Sequence, residues 1–350
     1  MNKLQLIQSL RFFGFILIFF NHAYWLFTKH KIFDFGARGV EIFFLLSGFL
    51  IAYNYSNSLA QYNLHSSVNF VVKRIKKFYC LHVVMFLIMA VYIIRNFFKH
   101  GFNYSGGIPH FILDAVLNIS LLQSWYDPAK FSFNGVSWFL SSIIFCYFCT
   151  PLLISSVQHI KREKIPVIFM ILIVCKIILD SLSKYFGVNP IPGVFSFYVN
   201  PAYRFIDYAI GYFYALVIHV NTVKSTSYFN SIFQFSILAI YLFSCILFDK
   251  IWLPAIFILL ELLLIYAFTL SNSFFSQIVG NKLFVHLGNI SFELYIVHQV
   301  LINILSVKLK QFIHSGAIIF IVLLALSIVT EEFFYWKPVR NLITKKIYGE

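Results

Sequence analysis

The chain has 350 residues, of which 60% are hydrophobic and 11% charged, and its mean hydropathy is +0.81. Soluble domains carry about a quarter charged residues, so this composition excludes an ordinary soluble enzyme and points to a polytopic membrane protein. In a soluble protein the formal net charge of +14 would suggest nucleic acid. Here the positives gather in short segments between apolar runs, which is a topological pattern, and no nucleic-acid partner is expected.

An apolar run of about 20 residues crosses the hydrocarbon core as a helix. Ten runs qualify: residues 6–28, 38–56, 78–98, 135–157, 166–184, 201–219, 229–248, 251–270, 285–305 and 315–336. The segment 111–123 is apolar but short, and reads as a re-entrant or interfacial piece. The expectation is an all-α bundle of about ten transmembrane helices, one integral-membrane domain over residues 1–350, embedded in the lipid bilayer. The first run has no small-x-small cleavage site after it and is read as a retained helix.

Lysine and arginine bias sets the orientation. With the N-terminus inside, the inner loops hold Lys73, Arg74, Lys76 and Lys77, then Lys161, Arg162 and Lys164, then Lys337, Arg340, Lys345 and Lys346. Lys29, Lys31, Lys308 and Lys310 lie on the outer side. Both termini are expected in the cytoplasm. Segments 99–134 and 185–200, the latter with Pro190 and Pro192, then face outward, where long loops help to form an acceptor cleft.

Ionisable groups inside apolar spans are costly, so each is a candidate for function. Arg11 and His22 are eleven residues apart, about three helical turns and about 16 Å, so both project from one face of the first span. The plain alternative is a snorkelling arginine with an interfacial histidine. The second span carries Glu41, Ser47 and Gly48. Glu41 is placed to orient the His22 imidazole, or to pair with Arg38 three residues before it. Gly48 permits close helix approach. The cluster Lys73, Arg74, Lys76 and Lys77 suits the phosphates of a nucleotide-like donor, or a patch for anionic lipid.

Further pairs follow helical spacing. Lys176 and Asp180, at i and i+4, read as a self-paired couple, and Arg204 with Asp207 as either a neutral pair or a binding element. Ser291, Tyr295 and His298 share a stripe that lines a path or bonds between helices. Trp138 reads as a stacking surface or an interfacial anchor. The five cysteines, Cys80, Cys146, Cys149, Cys175 and Cys245, lie in or beside apolar spans. They read as packing residues, with no metal site expected.

Taken in order, these stretches resemble the bacterial acyltransferase family 3, multi-span O-acyltransferases of cell-surface sugars. Arg11 and His22 match the family's R-x10-H, and Gly39 to Ile51 resembles G-V-[DE]-x-F-F-x-x-S-G-F-x-I. Arg74 and Lys77 fall at R-x-x-R; Ser137 to Leu140 with Tyr147 and Pro151 resemble W-F-L…Y…P. Arg204, Asp207 and Gly211 resemble R-x-x-[DE]-x-x-x-G, and Ser291 to His298 resembles S-Y-x-L-Y-L-x-H. The late E-E-F-F-Y-W-K-P-V-R is similar to the family's closing pattern. Departures are Lys77 for an arginine, Cys80 at a frequent proline and Ile143 at an occasional glutamate.

The resemblance implies transfer of an acyl group, usually acetyl, from cytoplasmic acyl-CoA to a hydroxyl of a bacterial glycan. The donor is a co-substrate and no tightly bound cofactor is implied. His22 is then the base, with Glu41 tuning it and Arg11 holding the donor or the histidine's partner. A variant has His22 carrying the acyl group covalently. Lys73, Arg74 and Lys77 hold donor phosphate, and Ser47, Trp138, Arg204, Tyr295 and His298 line the substrate path or acceptor site. The implied location is the bacterial cytoplasmic membrane. The rival class is a multi-span transporter or exporter of a small anion or glycan.

Overall fold

The computed structural model describes residues 3–28, 35–55, 64–187, 196–218, 226–247 and 254–335. Lys29, Lys31, Pro190, Pro192, Lys337, Arg340, Lys345 and Lys346 lie outside the described residues. The chain is all-α: α1 (Lys3–Ala23), α2 (Phe35–Tyr55), α3 (Leu64–His100), α4 (Gly107–Ile119), α5 (Trp138–Gln158), α6 (Ile165–Phe186), α7 (Pro201–Val217), α8 (Ser227–Leu247), α9 (Pro254–Thr269), α10 (Phe274–Val279), α11 (Lys282–Asn289), α12 (Ser291–Phe312) and α13 (Gly316–Tyr335). Among the described residues, eight helices are long and apolar enough to cross a membrane. Nine of the ten runs expected from sequence coincide with one helix each, the run 285–305 spans two, and most of the short segment at 111–123 falls on α4.

Two boundaries differ from the apolar runs, for identifiable reasons. α3 starts at Leu64, fourteen residues before the expected span, and runs for 37 residues. A lysine–arginine run ends a hydropathy window but not a helix, since both are good helix formers. The basic cluster therefore sits on a helix face rather than in a loop. The run 285–305 is broken at Ile290, where α11 ends and α12 begins. There the Ser291 hydroxyl donates to the Gly288 carbonyl at 2.8 Å. Gly288 also abuts α1 so closely that a Cβ would stand 1.9 Å from the Gln8 oxygen.

The centre of the bundle is α1, α2 and α7. α2 and α7 cross at a pair of glycines. A Cβ on Gly48 would lie 1.8 Å from the Tyr208 oxygen, and one on Gly211 would lie 1.9 Å from the Leu45 oxygen. Without a hydrophobic drive in lipid, such backbone approach supplies the packing that holds helices together. Apolar side chains of α3, α6, α8 and α13 instead remain exposed, among them Val91, Ile171, Phe243 and Ile321. That outward apolar surface suits a bilayer. α4 lies along α3. The Tyr79 hydroxyl donates to the Ile119 carbonyl at 3.0 Å, and His82 Nε2 donates to the Asn118 carbonyl at 2.9 Å.

Candidate active site

Arg11 and His22 lie on the unbroken α1, so their separation is about 16 Å along the axis. Each has its own surroundings.

At the Arg11 end, Arg11, Arg74, Lys77, Phe78, Tyr147, Asn289, Phe292 and Glu293 line a cavity of about 170 Å³. Three cations from α1 and α3 thus converge on one space. Arg74 is held by aromatic faces: its guanidinium stands 3.4 Å from the Phe70 ring centroid and 5.1 Å from those of Tyr55 and Tyr147. Such stacking fixes a guanidinium more firmly than an ammonium. Arg11 donates to the Gln8 amide oxygen at 3.1 Å and lies in the electrostatic field of Tyr147 and Glu293. Lys73 is exposed and is not among the lining residues. One residue before Arg74, it points about 100° away around the helix.

At the other end, His22 Nδ1 lies 2.8 Å from His298 Nε2. The two rings are nearly parallel, 7° apart, with centroids 5.1 Å apart, the arrangement of rings joined edge to edge. His298 is wholly buried, with its Nδ1 2.8 Å from the Tyr295 carbonyl oxygen. Phe15 and Phe19 of α1 flank its ring at 5.5 Å and 5.9 Å. Tyr295, also buried, packs on Phe43 and Phe139.

Glu41 does not take the place beside His22 that the sequence reading assigned to it. Its carboxylate pairs with Arg38 and stands 3.7 Å from Lys176 Nζ and 4.0 Å from Arg204. The reason is helical phase: three residues from Arg38, Glu41 turns with it toward α6, α7 and α9. Lys176 pairs with Asp180 at 2.9 Å and with Asp207 at 3.1 Å, and Arg204 pairs with Asp207 at 2.9 Å. Tyr203 bridges Lys176 and Asp180. The three pairs read from helical spacing are therefore one buried cluster. Arg204 is aimed into it by the start of α7. The Asn200 side chain accepts from the Ala202 and Tyr203 amides, with Pro201 at the first helical position, a favoured helix start.

Trp138 is buried rather than interfacial, with its ring 5.0 Å from Tyr198 and 5.7 Å from the Arg204 guanidinium. Ser47 donates to the Phe43 carbonyl at 2.7 Å and also neighbours Tyr147. The structure thus brings Arg11, Arg74 and Lys77 together, and separately His22 and His298, and separately Glu41, Arg204 and Trp138. Sequence reasoning missed Glu293 and Asn289 as cavity residues. The glutamate within an apolar run was the available signal.

The bundle thus carries a cationic cavity beside Arg11, near the middle of α1, and a paired imidazole close to the end of that helix. The chain belongs to the acyltransferase-domain family, whose profile matches residues 5–332. Its long apolar helices suit a multi-pass membrane protein. It is similar to nodulation protein 10 of Rhizobium leguminosarum bv. viciae, at 28% identity over 173 residues. That match covers 44% of this chain and 45% of the relative, so the chain spans less than half the length of that curated relative. No solved structure matches.

Proposed function

We propose that the protein is an O-acyltransferase, acetyl being the expected group. It moves the acyl from acyl-CoA to a hydroxyl of a bacterial cell-surface glycan or its lipid-linked precursor. The observation that carries this reading is the convergence of Arg11, Arg74 and Lys77 on one cavity, with Arg11 on the same helix as the His22 imidazole, about 16 Å away along the axis. A thioester donor of this class is a long thin arm with phosphates at one end and the reacting sulfur at the other. Cations for the phosphates and a base at arm's length suit that shape.

In this reading His22 takes the proton of the acceptor hydroxyl as its oxygen attacks the thioester carbonyl. The new C–O bond forms, the C–S bond breaks, and the departing thiolate recovers the proton from the imidazole. A sugar hydroxyl is a weak nucleophile near neutral pH, and a positioned base contributes about 10²–10⁴-fold. The proposed location is the cytoplasmic membrane with both termini in the cytoplasm.

The test compares the surface glycan of cells with and without the protein, by mass and NMR. Loss of one acyl group per repeat unit is expected on deletion. An unchanged glycan, in cells that make the protein, contradicts the reading.

A further inference from the structure

Resting on that acyl-transfer reading, we propose that His298 is a positioning residue that fixes the tautomer of His22, so that Nε2 is its reacting nitrogen.

The assignment follows from what each atom can do. A backbone carbonyl only accepts hydrogen bonds, so the 2.8 Å contact from His298 Nδ1 to the Tyr295 oxygen requires a hydrogen on Nδ1. A neutral imidazole carries one hydrogen, so His298 Nε2 holds a lone pair. Neutral is the state a fully buried ring beside a second imidazole takes, since burying two adjacent cations is costly. His22 Nδ1, 2.8 Å from that lone pair, must then be the donor. The hydrogen of His22 is spent on Nδ1, and its lone pair is on Nε2. When Nε2 takes the acceptor's proton, His22 becomes an imidazolium whose Nδ1–H already has an acceptor in place. The ring is not required to turn during the reaction.

The surroundings hold His298 to this task. Its ring is wedged by Phe15 and Phe19 and backed by Tyr295. α1 and α12 contribute one ring each, so the reacting nitrogen depends on the docking of two helices whose histidines are 276 residues apart in sequence. The role matches that of the carboxylate in a serine-protease triad, with a neutral acceptor in its place.

Two variants and one measurement on the unaltered protein test this. His298→Leu removes the acceptor, and kcat falls by about 100-fold, with donor KM within about twofold. His298→Gln places an amide oxygen near the former Nε2 and recovers most of that loss. Full kcat in the leucine variant overturns the proposal. So does an equal loss in both variants when their thermal unfolding matches wild type. If neither variant accumulates, ¹⁵N-histidine-labelled wild-type protein decides: a His22 proton on Nδ1 supports the proposal, and one on Nε2 overturns it. Activity that survives His22→Ala removes the parent reading and this proposal with it. Loss in His22→Ala beside full activity in His298→Leu removes this proposal alone.

Discussion

Lys176 of α6 meets Asp207 of α7 at 3.1 Å, and both lie in the buried cluster that holds Glu41 of α2. Arg38 extends the cluster to α9, its guanidinium 4.2 Å from the Phe257 ring. Charges that are largely buried thus tie α2, α6 and α7, and the ring contact adds α9. Removing one partner leaves an uncompensated charge in the buried cluster, which costs up to about 3–5 kcal/mol. Lys176→Met and Asp207→Asn are each expected to lower the unfolding temperature of the detergent-solubilised protein. The double variant loses less than the sum, because the two share one interaction. Strictly additive losses contradict the cluster.

The cavity makes a separate prediction for the donor. Arg74→Ala removes charge-assisted bonds worth about 1.5–3 kcal/mol, so donor KM rises about tenfold or more with little change for the acceptor. Lys77→Arg restores a bidentate fork and holds or lowers donor KM. Lys73→Ala, away from the cavity, leaves it unchanged. Initial rates at varied acyl-CoA check all three, and an unaltered KM in Arg74→Ala is the adverse result.

Glu293 lines that cavity and lies in the field of Arg11 and Lys77. A carboxylate there repels incoming phosphate. Glu293→Gln is expected to lower donor KM by about two- to fivefold at low salt, with the gap closing as salt screens the site. A rise in KM contradicts this. The same assay at two ionic strengths reads it out.

Gly48 allows α2 to touch α7. A methyl at that position meets the Tyr208 carbonyl oxygen at 1.8 Å, and overpacking of this kind costs about 1–3 kcal/mol or more. Gly48→Ala is expected to reduce the monodisperse fraction in size-exclusion chromatography. Undiminished yield and unfolding temperature contradict the close crossing.

What the sequence made legible was local. The helices follow from apolar length, and the Arg11–His22 face follows from helical phase, because neither needs a distant partner. The ion pairs at three and four residues were visible for the same reason, and α7's start was written in Asn200 and Pro201. The rest depends on which helices meet. Nothing in the run around His22 announces His298, and Glu41 faced α6 and α7 rather than α1 because rotation of α2 is set by its glycine crossing. The early start of α3 was hidden by a hydropathy criterion that charged helix formers defeat. The break at Ile290 is marked by Gly288, Asn289 and Ser291, but a hydropathy window averages over those few residues.

The central claim is that His22 performs the transfer. It is tested most directly by following labelled acyl groups from acyl-CoA to glycan in vesicles reconstituted with wild type or His22→Ala, matched for folded protein. The account predicts transfer by wild type and at least a hundredfold less, about background, for the variant. Equal transfer by the two proteins would contradict it.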